Sequence, residues 1–221
     1  MGGVKPYILD GCVLRFRLDG LGRAADDTVF DLSGHQNQGS FVGTGGRPVD
    51  GGMTFDADSS DAISVSDAAM LIPEAGDFQI HVWANLAEAQ NNAIASLVAK
   101  GASADGWLFG IKDDDLYFTW CDADCNSLLD VADDTTHLLS AIRASGVLKL
   151  YVDCDEKVSA DMAGVSLDGS DALEVGDMST ATNQAGIVGT IYGVVFATAT
   201  KDSSQAELDM KALYGRGAYV I

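Results

Sequence analysis

GGMTFDADSSDAISVSDAAMLIPEAGDFQIHVWANL, residues 51–86, contains two alternating runs set apart by an acidic, turn-rich segment. The first passes from Met53, Thr54 and Phe55 into Ala62, Ile63, Ser64 and Val65; the second is Phe78, Gln79, Ile80, His81, Val82 and Trp83. Successive side chains of an extended chain point to opposite faces, so alternation of β-branched and aromatic residues between Gly, Asp, Ser and Pro marks β-strands. The pattern predicts strands that each lay one face on a core.

The same reading extends outward. Residues 12–18 set Val13, Arg15 and Arg17 against Leu14, Phe16 and Leu18, and a short strand is expected near Ser40, Phe41 and Val42 within a loop-rich stretch. Downstream, residues 94–99, 107–111, 116–120, 138–143, 147–152, 173–176 and 190–197 read as strands, and residues 122–136 read as loop. The period changes at residues 203–214, where Ala206, Met210 and Leu213 recur at helical spacing between Ser203 and Gly215. With strands of typical length, about 12 to 14 are expected. The prediction is an arm over residues 1–11, then one all-β domain over residues 12–221. Its architecture is a two-sheet antiparallel jelly-roll sandwich with one short C-terminal helix.

Composition narrows the partners. The 33 acidic residues are 28 Asp and 5 Glu against 13 Lys plus Arg, a net charge of -20. Such a surface repels phosphate backbones, so nucleic acid is excluded as a partner held by a basic face. Self-repulsion also opposes compaction unless ions screen it, and at about 1 M salt the Debye length is only about 3 Å. A halophilic source is expected. The apolar segments are too short for a membrane span, and residues 1–6 lead into no apolar run, so neither membrane insertion nor a signal peptide is expected. Cys12, Cys121, Cys125 and Cys154 lack zinc spacing; Cys121 and Cys125 could bond across a hairpin tip or remain free thiols.

Several motifs, in this order, resemble the laminin-G-like/concanavalin A-like jelly rolls. They are Val13 to Phe16, the D-x-S-G-x-x-N-x-G loop from Asp31 to Gly39, Gly51-Gly52, Phe55-Asp56, Asp61 before its strand, and Gly76-Asp77-Phe78 through Trp83. Leu97 to Gly101, Gly106-Trp107, His137, Leu148 to Asp153 and Gly189 to Val194 continue the likeness, which covers residues 12–215. One departure stands out. Cys154 follows Tyr151, Val152 and Asp153 where the family usually has Gly, so that turn is expected to differ.

The candidate chemistry is thin. Calcium takes six to eight oxygen ligands, and the resemblance implies a calcium place at Asp31 and Asn37; Asp56, Asp58 and Asp61 gather further oxygens. A solvated turn would use the same residues. Gln79, His81 and Trp83 share one face of their strand, either as a row lining a sugar-binding surface or as packed core, and Tyr117 and Trp120, near Trp107 on one hairpin, are further candidates for holding a glycan. No catalytic residue is identified. Related glucanases use paired carboxylates on one strand, whereas Glu207 and Asp209 lack a second Glu and sit in the predicted helix. These readings favour a non-catalytic virion surface protein, such as a capsid decoration, turret or tail-associated adhesion module of a virus infecting a halophile. It would be made in the host cytoplasm, be displayed on the virion surface, and contact itself as a homo-oligomer, other virion proteins and possible host glycans. The competing reading is an extracellular lectin-like carbohydrate-binding module, and a glycoside hydrolase ranks third.

Overall fold

A computed structural model describes residues 9, 11–18, 28–43, 47–49, 51–56, 61–88, 90, 94–101, 106–120, 123–167, 169, 171–177, 185–198 and 203–215. Most of the expected arm, with Asp58 and Cys121, lies outside these residues. In chain order the strands are β1 (Cys12–Arg17), β2 (Thr28–Val29), β3 (Gly39–Val42), β4 (Arg47–Val49), β5 (Gly52–Phe55), β6 (Ala62–Val65), β7 (Phe78–Leu86), β8 (Ile94–Lys100) and β9 (Trp107–Lys112). They continue with β10 (Asp115–Trp120), β11 (Ala123–Asp130), β12 (Thr136–Ala144), β13 (Val147–Val152), β14 (Asp155–Asp161), β15 (Leu173–Val175), β16 (Ala185–Gly186) and β17 (Gly189–Ala197). Helix α1 (Ser203–Tyr214) follows.

Two sheets result. One has the order β14-β13-β12-β7-β17-β5-β4 with β1 also paired to β17; the other runs β11-β10-β9-β8-β15-β6-β3-β2 with β16 on β8. Every strand pair is antiparallel except β16 with β8. The all-β sandwich and the single short helix are as the alternation predicts, with seventeen strands among the described residues. The additional ones are short edge pieces plus β11 and β14. Residues 123–130 form a strand where loop is expected because β11 is the last strand of its sheet. Only Cys125 along it is fully buried, so the apolar alternation that betrays a strand is missing.

Three hairpins turn on two residues with both φ values positive, the geometry that matches the right-handed twist of the flanking strands. Asp113 and Asp114 join β9 to β10, Ser145 and Gly146 join β12 to β13, and Asp153 and Cys154 join β13 to β14. Cys154 therefore leaves the tight turn intact, with φ 72° in a non-glycine residue. Gly176 is required for a different reason: at φ +94° a Cβ there would collide with the Phe55 ring.

The core lies between the sheets. Phe118 on β10 is its aromatic centre, with ring centroids 5.9 Å from Phe78, 6.0 Å from Trp107, 6.3 Å from Phe109 and 6.0 Å from Trp120. A smaller cluster lies on the far face of the first sheet, where Ala206, Met210 and Leu213 of α1 cover Trp83, Leu138, Tyr151 and Val195. Among the described residues, no helix is long and apolar enough to cross a membrane. Replacing Phe118 with Ala removes the ring shared by four others. It should lower unfolding free energy by about 3–5 kcal/mol, read from the urea midpoint at unchanged slope.

Candidate binding rim

β1 leaves one edge free of β17, and the residue 31–37 loop closes it. The backbone N–H of Arg15 donates to Asp31 Oδ1 at 3.0 Å, and Leu32 N–H donates to the Arg15 carbonyl at 2.8 Å. Asn37 Nδ2 donates to the Val13 carbonyl at 2.7 Å, and Ser33 Oγ lies 3.2 Å from the same oxygen. The Asp31 carboxylate also accepts Ser33 N–H at 2.8 Å, Ser33 Oγ–H at 2.7 Å and Asn37 N–H at 3.0 Å. Four donors thus converge on one carboxylate, which sets the loop conformation.

That arrangement does not fit a hard cation at Asp31, because its oxygens already face protons, and the Asn37 amide presents its nitrogen to Val13. Elsewhere Asp56 is exposed, while Asp61 is buried and has a partner within the chain. Among the described residues no group of three or more His, Cys, Asp and Glu side chains is placed to hold a metal ion.

The locked loop presents apolar side chains. Phe30 and Leu32 flank Asp31 and are exposed, as is Met70 of the single-turn helix Ala69–Leu71, whose sulfur lies 3.0 Å from Asn37 Nδ2. Two buried cations brace the β6–β7 connection that carries Met70. Lys100 Nζ donates to Asp67 Oδ1 at 2.6 Å and to the Asp171 carbonyl at 2.7 Å. The Arg143 guanidinium donates to the carbonyls of Glu74, Met162 and Val165 at 3.3, 3.0 and 2.9 Å. Their buried methylene stems carry little information in an alternating pattern, so neither residue stood out in the sequence.

The four residues considered for sugar stacking do not form a platform. Trp83 is buried against α1, stacked at 5.7 Å on Tyr214. His81 is fully buried, with Nδ1 2.9 Å from Ser140 Oγ and Nε2 3.0 Å from Gln79 Oε1. Tyr117 and Trp120 are both buried and point to opposite faces of β10: Trp120 joins the main core, and Tyr117 packs with Ala99 and Leu108. The Tyr117 hydroxyl donates to Asp124 at 3.2 Å, and Lys112 Nζ lies 5.1 Å over its ring. Cys125 is a free buried thiol; burial pushes it and Cys12 up to about 11, so both stay protonated.

One pair of acids that the sequence keeps apart does meet. Glu156 of β14 and Glu207 of α1 share Lys149, at 2.8 and 3.8 Å, and the Tyr151 hydroxyl donates to Glu207 at 3.1 Å. An ammonium between two glutamates makes an ion-pair clamp that ties α1 to β13 and β14. It is not an acid and nucleophile facing a glycosidic bond.

Two measurements check these assignments. Asp31→Ala strands four donors and should lower unfolding free energy by about 2–4 kcal/mol, with Asp31→Asn costing less. A loss under about 0.5 kcal/mol in chemical denaturation would contradict the loop's role. Burial lowers His81 from 6.5 to about 3, so the unfolded chain takes that proton first. Its contribution is therefore complete above about pH 6.5 and declines as pH falls toward about 3, at up to about 1.4 kcal/mol per unit. Comparing the pH slope of stability with that of His81→Asn isolates this from the carboxylates; equal slopes would refute it.

With this geometry in view, the chain can be placed among known proteins. A laminin-G-type family model, described as the concanavalin A-like lectin/glucanases superfamily, matches residues 56–201. The binding domain of Paraclostridial Mosquitocidal Protein 1 has a TM-score of 0.71 at 15% identity, over 94% of this chain and 52% of that one. A Trypanosoma rangeli sialidase gives 0.69 at 10% identity, over 93% of this chain and 33% of that one. Domain 4 of AbnA, a GH43 extracellular arabinanase from Geobacillus stearothermophilus in complex with arabinotriose, gives 0.68 at 12%, over 91% and 97%. The chain thus spans about half the length of the mosquitocidal binding domain and a third of the sialidase. At these identities the likeness is one of fold. No curated protein matches the sequence. The chain belongs to the concanavalin A-like lectin/glucanases superfamily.

Proposed function

We propose that the chain is a non-catalytic adhesion module, carried on the surface of a virus particle from a brine-dwelling host, and that it docks through the rim around the residue 31–37 loop. The observation that carries the docking site is the outward placement of Phe30, Leu32 and Met70 beside a loop fixed by the four donors on Asp31. Apolar side chains on a rigid support lose little conformational freedom when covered, which suits them as interface anchors. The five Glu support the non-catalytic reading: Glu156 and Glu207 are tied to Lys149, and Glu74, Glu88 and Glu174 lie on other segments. The brine reading is supported by the net charge of -20, which concentrated ions would screen, and the particle setting by a single jelly-roll domain preceded by a short arm.

Aliphatic anchors suit a protein receptor. A glycan is the second reading, favoured by the exposed Phe30 ring and by the solved arabinanase domain whose ligand is arabinotriose. Leu32→Asp and Met70→Asp should each weaken attachment to host cells at least tenfold, with melting temperature shifted by no more than about 2 °C. Immunogold labelling should find the chain on purified particles. Attachment unaffected by both substitutions would reject the rim; unlabelled particles would reject the virion setting. A glycan array silent toward wild type, alongside intact cell attachment, would select the protein receptor.

A further inference from the structure

His137, on β12 at the end where β7 stops at Leu86, bridges two carboxylates from separate turns. Its Nδ1 lies 2.7 Å from Asp153 Oδ2 in the β13–β14 turn, and its Nε2 lies 3.2 and 3.3 Å from the two oxygens of Asp133 in the β11–β12 connection. Both contacts need a proton on the ring nitrogen, so the arrangement is complete only for the imidazolium. We propose that His137 is a proton-operated clamp which fastens the β11–β12 connection to the β13–β14 turn and releases the former when it loses its charge.

The hydrogen-bond geometry says which side lets go. A neutral imidazole keeps one N–H, and the shorter contact is to Asp153. Asp153 is also held in place from elsewhere: its Oδ1 accepts Leu138 N–H at 2.9 Å, and its own N–H donates to the Leu138 carbonyl at 3.0 Å. With the proton on Nδ1, the bare lone pair of Nε2 faces the Asp133 carboxylate, and that contact turns repulsive. The other bonds of Asp133 are both to Thr135 in the same turn: its carboxylate accepts the Thr135 N–H at 2.9 Å and its carbonyl accepts the Thr135 hydroxyl at 3.4 Å. The flanking backbone stays attached to β7 through Asp134 N–H to the Leu86 carbonyl, 2.9 Å, and Asn85 Nδ2 to the Asp134 carbonyl, 2.8 Å. Release is therefore confined to the Asp133–Thr135 turn.

The surrounding charges favour holding the proton. The connection brings Asp133 and Asp134; the β13–β14 turn brings Asp153 and Asp155 with the Cys154 thiol, which burial raises. From α1 come Lys211, which faces Cys154, and the Tyr214 phenol, which faces Asp153, Cys154 and Asp155. Ala84 of β7, opposite His137, brings no charge. Burial pulls the His137 ring down, but the hydrogen bonds from Asp153 and Asp133 outweigh it and hold it above its ordinary value, while Asp133 is held below its own. The clamp is closed below the ordinary histidine range and opens as pH rises through the raised value.

The test follows the full-length chain by NMR. The His137 ring should titrate above about 6.5 and, once neutral, carry its proton on Nδ1. Across that titration the protection factor of the Thr135 amide should fall at least tenfold, whereas that of Leu138 should hold. In Asp133→Asn the ring midpoint should drop and the Thr135 step vanish; in His137→Gln the step should vanish as well. A ring titrating at or below about 6.5, or a Thr135 step absent from wild type, would overturn the clamp. So would a step that persists in either variant. The rim mutants leave these readouts untouched, so the clamp stands or falls apart from the docking reading.

Discussion

Among the described residues one edge of β1 has no strand beside it, and this is the constraint around which the sandwich is arranged. β1 pairs with β17 on one side only, and Val13 O, Arg15 N and Arg15 O point away from that partner. Such groups must find donors and acceptors or offer themselves to another chain. The residue 31–37 loop supplies them through Asp31, Leu32 and Asn37. One carboxylate with four donors does this without a further strand, which frees the loop to turn Phe30 and Leu32 outward. Edge protection and the outward placement of two apolar side chains thus come from the same short segment.

Scarce cations are used where they fasten several segments at once. Lys100 and Arg143 are buried and bond mainly to backbone carbonyls of crossing loops; Lys149 joins two glutamates on different elements. A buried cation without such partners would be expensive, and each of these has at least two. Across the whole chain 33 acidic residues face 13 Lys plus Arg. Screening of that excess falls to the solvent ions, which is the physical content of the brine hypothesis.

Much of this was legible in the residues. Alternation located the long strands, and the change of period at Ala206, Met210 and Leu213 located α1, whose three apolar residues are all buried. The D-x-S-G-x-x-N motif marked a loop whose polar side chains hydrogen-bond within the chain. Alternation was silent at β11 and β14, where exposed acidic residues replace one apolar face. It also tells which side chains share a face but not what covers that face. Gln79, His81 and Trp83 do share one, and α1 with Tyr151 and Val195 encloses it. Tyr117 and Trp120 were separable by parity alone: three residues apart on one strand, they must point in opposite directions. The His137 bridge depends on turns far apart in sequence, so no local pattern announces it.

Native-state hydrogen exchange of wild-type protein at the amides of Arg15, Ser33 and Asn37 tests the central claim most directly. If the Asp31 carboxylate closes the β1 edge, all three should be protected to nearly the level of β7 and β12 core amides, equally with calcium and with chelator. Exchange at the rates of an open loop, or protection that appears only when calcium is added, would contradict it.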